Sequence, residues 1–163
     1  MDYYTQIADS YNELHGSEQR DKLDFISQHF QIDSSWSLLD VGCGTGIALD
    51  YFDAVEVVGV DPSIGLLKKY SGNHTTICCG AEKMPFEDNS YDVVVSLTAI
   101  QNFSHLRRGL EEISRVGKNI FILTWLKASS KNNDIIVLVN ELFHDYKKTW
   151  LDHPLDAICI IEG

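Results

Sequence analysis

Leu38-Leu-Asp-Val-Gly-Cys-Gly-Thr-Gly46 gathers most of the chain's recognisable chemistry into one short stretch. Glycines at 42, 44 and 46 let the backbone turn sharply and let a ligand come close to it. A helix following such a loop offers unpaired N–H groups and the positive end of its dipole. A second acid, Asp61, closes the next apolar run, Val55-Glu-Val-Val-Gly-Val60. At the end of a strand in an α/β nucleoside site, a carboxylate accepts ribose hydroxyls. The glycine spacing separates the ligands. A dinucleotide loop, G-x-G-x-x-G, requires glycine at 47, where this chain has Ile47. A pyrophosphate would also meet Asp40 as a like charge. Both features suit a nucleoside that carries an amino group and no phosphate. The sequence contains no G-x-x-x-x-G-K-[ST], which excludes a P-loop.

The elements that must position these residues alternate between strand-like and helix-like. Residues 3–15 have a helical pattern with Gly16 as a C-terminal cap. Ser17 then caps a second helix with Leu23, Ile26 and Phe30 on one face. Trp36–Val41 reads as a strand, Thr45–Phe52 as a helix, and Val55–Val60 as a buried strand. Asp61-Pro-Ser63 is a turn opening a helix to about Tyr70. Thr75–Cys79 and Tyr91–Leu97 are strands separated by a loop with Pro85. Helix Ser104–Val116, strand Lys118–Leu126 and a helix from Ser129 or Ser130 to Phe143 follow. Strands near Asp145–Leu151 and Asp156–Glu162 end the pattern, joined by Asp152-His-Pro-Leu155. Such alternation predicts an α/β, Rossmann-like, doubly wound sheet of about seven strands. The sheet is mostly parallel, with an antiparallel C-terminal hairpin strand. Ligands of such sheets bind at the carboxyl ends of the strands, so the loops at 42–46, 61–63, 80–84 and 97–103 should share one rim.

Asp40-Val-Gly-Cys-Gly-Thr-Gly46, with Val58-Gly-Val-Asp61, Ala81-Glu-Lys-Met-Pro-Phe86 and Tyr91-Asp-Val-Val-Val-Ser-Leu97, resembles the class I S-adenosylmethionine-dependent methyltransferases, in their type 11 or UbiE-like subgroup. The resemblance extends over residues 38–126, with a further match at Ile7-Ala-Asp-Ser-Tyr11. It implies S-adenosylmethionine as cofactor. It places Gly42, Cys43 and Gly44 along the methionine moiety and ribose, with Asp40 behind them favouring the amino group. It gives Asp61 the ribose hydroxyls, Pro62 and Ser63 the flank of the adenine, and Ala81 and Glu82 its edge. Ser96 and Leu97 fall at the methionine end, and Tyr11 matches a lid tyrosine near the methionine carboxylate. Two departures stand out. Gly80 replaces an acid often found against the adenine amino group, and Gln101-Asn102 replaces a histidine pair common after the fourth strand.

The resemblance implies methyl transfer by direct displacement, with no metal and no covalent intermediate. Alignment of donor and acceptor then supplies most of the catalysis, on the order of 7–11 kcal/mol. His105 and His15 are weak candidates for a general base. Tyr4, Gln101, Asn102 and Trp125 are candidates for the substrate side. Each has a plainer alternative: Asp40 as a brace of its loop, Glu82 and the histidines as surface residues, the tyrosines and Trp125 as core.

The 163 residues fit one domain, with residues 1–35 as a helical lid, 36–126 as the cofactor-binding core and 127–163 as a C-terminal helix and hairpin. That leaves little chain to enclose an acceptor. A small-molecule acceptor is expected first; a tRNA or protein acceptor, served with a partner subunit or in a homodimer, is the alternative, and cofactor binding without catalysis a third. The net charge of -11 disfavours nucleic acid as a ligand of this chain alone. Cysteines at 43, 78, 79 and 159 show no C-x-x-C spacing, so a metal site is not expected. Reduced thiols, a start unlike a signal peptide and no long apolar run predict a cytoplasmic protein without a membrane span.

Overall fold

The computed structural model describes residues 8–163, with side chains from Gly16 onward. Its elements run α1 (Ala8–Ser27), β1 (Ser37–Val41), β2 (Glu56–Asp61), α2 (Ile64–Leu67), β3 (Thr75–Cys78) and β4 (Tyr91–Ser96). A 3-10 turn at Ile100–Asn102, α3 (Leu106–Val116), β5 (Gly117–Leu126), α4 (Asn132–Leu142), β6 (Lys147–Leu151) and β7 (Asp156–Glu162) complete them. One sheet of seven strands has the order β3-β2-β1-β4-β5-β7-β6. The pairs from β3 to β5 are parallel; β7 lies antiparallel between β5 and β6. This is the Rossmann-like architecture expected from the sequence.

Period-2 alternation sorts the strand side chains onto two faces. Leu39, Val41, Val58, Val60, Val94, Phe121 and Leu123 bury one face with Leu110 and Ile113 of α3 and Ile135 and Val139 of α4. Leu38, Val57, Val93, Val95 and Ile122 bury the other with Leu23 and Ile26 of α1. With both faces covered, the central strands are apolar throughout. The chain leaves β1 toward β2 and β3, then crosses back to place β4 on the other side of β1. The switch point therefore lies at the carboxyl ends of β1 and β4, where the glycine loop begins.

The structure departs from the expected elements at several points. Gly16 does not cap a helix; α1 continues through it. Gly16 is buried near Ile47, and a helical glycine costs only about 1 kcal/mol relative to alanine. Thr45–Phe52 forms successive turns, through Gly46 N–H to Cys43 O and Leu49 N–H to Gly46 O, in place of a helix. Gly46 adopts φ +86°, outside helical geometry, and the Tyr70 ring lies where a Cβ would stand. Too few residues then remain before Asp53 to repay helix nucleation. The helix expected to reach Tyr70 stops at Leu67, after which Tyr70 packs over Gly46 and donates to Asp50. Ser129 accepts from Lys131 N just ahead of α4 and does not cap it.

Candidate functional site: a cavity over the glycine loop

The ends of β1, β2 and β4 and the start of β3's exit loop surround a cavity of about 380 Å³, within the range of small-molecule sites. Its floor is the glycine loop. Gly42 takes φ +81°, and a Cβ there would stand 2.5 Å from the Ala99 Cβ, so only glycine fits. Gly42 and Cys43 N–H both donate to Val60 O, tying the loop to β2. The absence of a side chain at Gly59 makes room for the Cys43 thiol on β2.

Asp61 binds this region together. Its Oδ2 accepts from Gly44 N at 3.0 Å and its Oδ1 from Ser63 N at 2.8 Å. A carboxylate has about four acceptor positions, so these amides orient it without exhausting it. Ser63 in turn caps α2, its Oγ accepting from Leu66 N. Asp40 is 2% exposed and lines the cavity. Burial first, and the Asp61 charge second, push its carboxyl up to about 8. Its Oδ1 has no hydrogen-bond partner among the described residues. Burial pushes the thiols of Cys43 and Cys79 up as well, which keeps both cavity cysteines neutral and poor nucleophiles.

The opposite wall is the loop after β3. A side chain built on Gly80 would come within 3.5 Å of Glu82 Oε1, so the Glu82 carboxylate stands over the position left open by Gly80. Glu82 Oε2 is buried without a donor among the described residues. The loop beyond it is pinned from α3. Glu112 accepts from Met84 N at 2.9 Å, while Arg115 donates to Phe86 O, Met84 O and Asp88 and pairs with Glu112. The rim past β4 is Leu97, Thr98, Ala99, Asn102, Phe103 and Ser104.

Of the residues expected at the site, Asp40, Gly42, Cys43, Asp61, Pro62, Ser63, Ala81, Glu82, Leu97 and Asn102 line this cavity. Gly44 sits behind the lining, engaged with Asp61. Ser96 is buried and donates to Val41 O, a sheet contact. Gln101 turns away, its Nε2 donating to Thr98 O at 2.9 Å. Trp125 is claimed by the core: it is fully buried, and its indole N–H donates to Asn132 Oδ1. His105 is an exposed N-cap residue of α3, outside the lining. Tyr4 lies outside the described residues, as do the side chains of Tyr11 and His15. The sequence reasoning missed Gln19 and Leu23 of α1, Ile47, and Thr98, which also line the cavity. Leu23 had a signal, its helical period, and Thr98 fell within the 97–103 loop expected at the rim; Gln19 had none.

The cavity thus presents buried acceptors that have no donor among the described residues, over a backbone cradle that only glycine allows. Such acceptors fit a ligand that brings its own N–H and O–H groups. Residues 39–120, about half the chain, match the family described as methyltransferase domain, of the type 11 class. The chain belongs to the class I S-adenosylmethionine-dependent methyltransferases. The uncharacterised protein MJ1252 of Methanocaldococcus jannaschii is 32% identical over 127 residues, which are 76% of this chain and 50% of that protein. The demethylmenaquinone methyltransferase of Corynebacterium urealyticum is 33% identical over 86 residues, 50% of this chain and 36% of that enzyme. This methyltransferase chain therefore spans about half or less of the length of these curated relatives. A solved structure of a Haloferax volcanii putative methyltransferase complexed with the Trm112 activator has TM-score 0.80 at 16% identity. The match covers 99% of this chain and 98% of that one. That likeness is one of fold. No helix among the described residues of the methyltransferase is long and apolar enough to cross a membrane.

Proposed function

We propose that this methyltransferase transfers a methyl group by direct displacement to an acceptor that enters at the Leu97–Ser104 rim. The observation that carries the reading is the convergence of Asp40, Asp61, Glu82 and the Gly42 turn on one cavity. Asp61 accepts the ribose hydroxyls, held in place by the Gly44 and Ser63 amides. Pro62 and Ser63 flank the adenine. Glu82 takes the part of the missing acid at Gly80 and accepts from the adenine amino group. Asp40 meets the amino group of the methionine tail. When bound, S-adenosylmethionine supplies a methyl group already activated on a sulfonium.

The chain's own residues align and exclude water. His105 stands outside the described cavity lining. At about 380 Å³ the cavity lies toward the small end of the ligand-pocket range of about 300–1,000 Å³. The similarity to demethylmenaquinone methyltransferases favours a small-molecule acceptor. A second reading, a macromolecular acceptor met with a partner subunit, draws on the fold neighbour solved with an activator protein.

Incubation with methyl-labelled S-adenosylmethionine and cell extract, separated into metabolite, RNA and protein fractions, tests the proposal. Label in the metabolite fraction is expected. Label in RNA or protein selects the second reading. No transfer to any fraction, despite cofactor binding, contradicts both.

A further inference from the structure

Gln19 belongs to none of the motifs, yet it lines the cavity together with Leu23, one turn later on α1. The residues around it fix where along the cavity it stands. One turn before it, Gly16 packs near Ile47, the residue following the glycine loop. One turn after it, Lys22 forms a buried ion pair with Asp156 at 2.9 Å and donates to Thr98 Oγ1. Thr98 donates to Asp156 at 2.8 Å and holds φ +53°, an unusual backbone for a β-branched residue. Gln19 thus lies on α1 between the turn that meets Ile47 and the turn that meets Thr98, and all three residues line the cavity. Asp40 shares the Leu38 side of β1, which is the face that α1 covers.

The Gln19 Oε1 is shielded from water and has no donor among the described residues. Buried carbonyls are rarely left unpaired, because their lost hydration is not repaid. Asp40 Oδ1 is unpaired in the same cavity. Two unpaired acceptors in one cavity, both on the side of β1 that α1 covers, are matched by a donor with at least two hydrogens. A primary ammonium has three. Glu82, the remaining unpaired acceptor of the lining, stands apart on the loop after β3.

We infer that Gln19 is a cofactor-contacting residue whose side-chain carbonyl, opposite Asp40, accepts a hydrogen bond from the ammonium of the methionine tail. Lys22, through Asp156 and Thr98, is the positioning residue that sets the height of α1 for this contact. The inference rests on the cofactor reading above and adds to it a determinant outside the motif loops.

Two ligands isolate the contact. S-adenosylhomocysteine carries the amino-acid tail, and 5′-methylthioadenosine carries the same nucleoside and sulfur without it. Calorimetry is run with both on the unaltered chain, Gln19→Leu and Gln19→Glu, with a thermal melt as fold control. Gln19→Leu is expected to weaken S-adenosylhomocysteine about ten-fold and leave methylthioadenosine unchanged, as loss of one charge-assisted hydrogen bond predicts. Gln19→Glu is expected to hold or tighten the tailed ligand. Equal weakening of both ligands in Gln19→Leu assigns the residue to packing and overturns the inference. No weakening overturns it too. A loss in Gln19→Glu as large as in Gln19→Leu makes the amide a donor to the tail carboxylate and overturns the stated bond. If the unaltered chain binds neither ligand, the cofactor reading itself fails and takes the inference with it.

Discussion

Asp40 shows the conflict between stability and binding at the scale of one residue. In the unfolded chain its carboxyl releases a proton near 3.8; in the fold it keeps it until about 8. The native state therefore holds the extra proton, and its stabilising effect is complete below 3.8 and lost as pH rises through 8. Asp40→Asn cannot ionise and escapes that loss. Its melting temperature at pH 8 is expected to exceed that of the unaltered chain by on the order of 5 °C, with the gap narrowing at pH 5. The same variant is expected to bind S-adenosylhomocysteine more weakly, since it no longer offers a carboxylate to the ammonium. Thermal melts and titrations at the two pH values check both outcomes; a variant less stable at pH 8 contradicts the account of a desolvated acid. Asp40, Gly42 and Asp61 were legible in the sequence because their chemistry is local: a turn that only glycine makes, and acids at strand ends. Gln19 was not, because tertiary packing alone carries it to the cavity. Trp125 was ambiguous for the opposite reason. A strand end points equally to a rim and to a core, and Asn132, seven residues on, decided it by accepting the indole N–H.

Among the elements, α1 is tied to the sheet by a buried ion pair as well as by its apolar face. Lys22 and Asp156 are 3% and 1% exposed, joining α1 to the first residue of β7. Removing one partner strands the other charge away from water. Lys22→Met is expected to cost about 3–5 kcal/mol in urea unfolding, and adding Asp156→Leu to recover most of it. A single variant that costs nothing would show that the pair does not hold the helix. The strands were readable to within a residue or two, since runs such as Val93-Val-Val95 admit burial on both faces and end at glycine, aspartate or serine. The helices were less readable. Continuity of α1 through Gly16 depends on its packing at Ile47, and the loss of the Thr45–Phe52 helix depends on Tyr70 closing over Gly46. Both causes are contacts between segments distant in sequence.

For the molecule as a whole, the alternation of elements foretold a doubly wound sheet and its C-terminal hairpin. The insertion of β7 between β5 and β6 is a matter of pairing that no local pattern encodes. The resulting switch point beside β1 gathers the glycine loop, the Asp61 turn and the Glu82 loop, while α1 closes the cavity from above. The site is lined by acids and unpaired carbonyls in a chain of net charge -11, which favours a cationic ligand over a phosphate-bearing one. Calorimetric titration of the chain with S-adenosylhomocysteine and, separately, with NAD puts this to its most direct test. One saturable site for S-adenosylhomocysteine, weakened about ten-fold or more by Asp61→Ala as loss of charge-assisted bonds predicts, with no heat from NAD, is the expected result. Binding of NAD without binding of S-adenosylhomocysteine would contradict it.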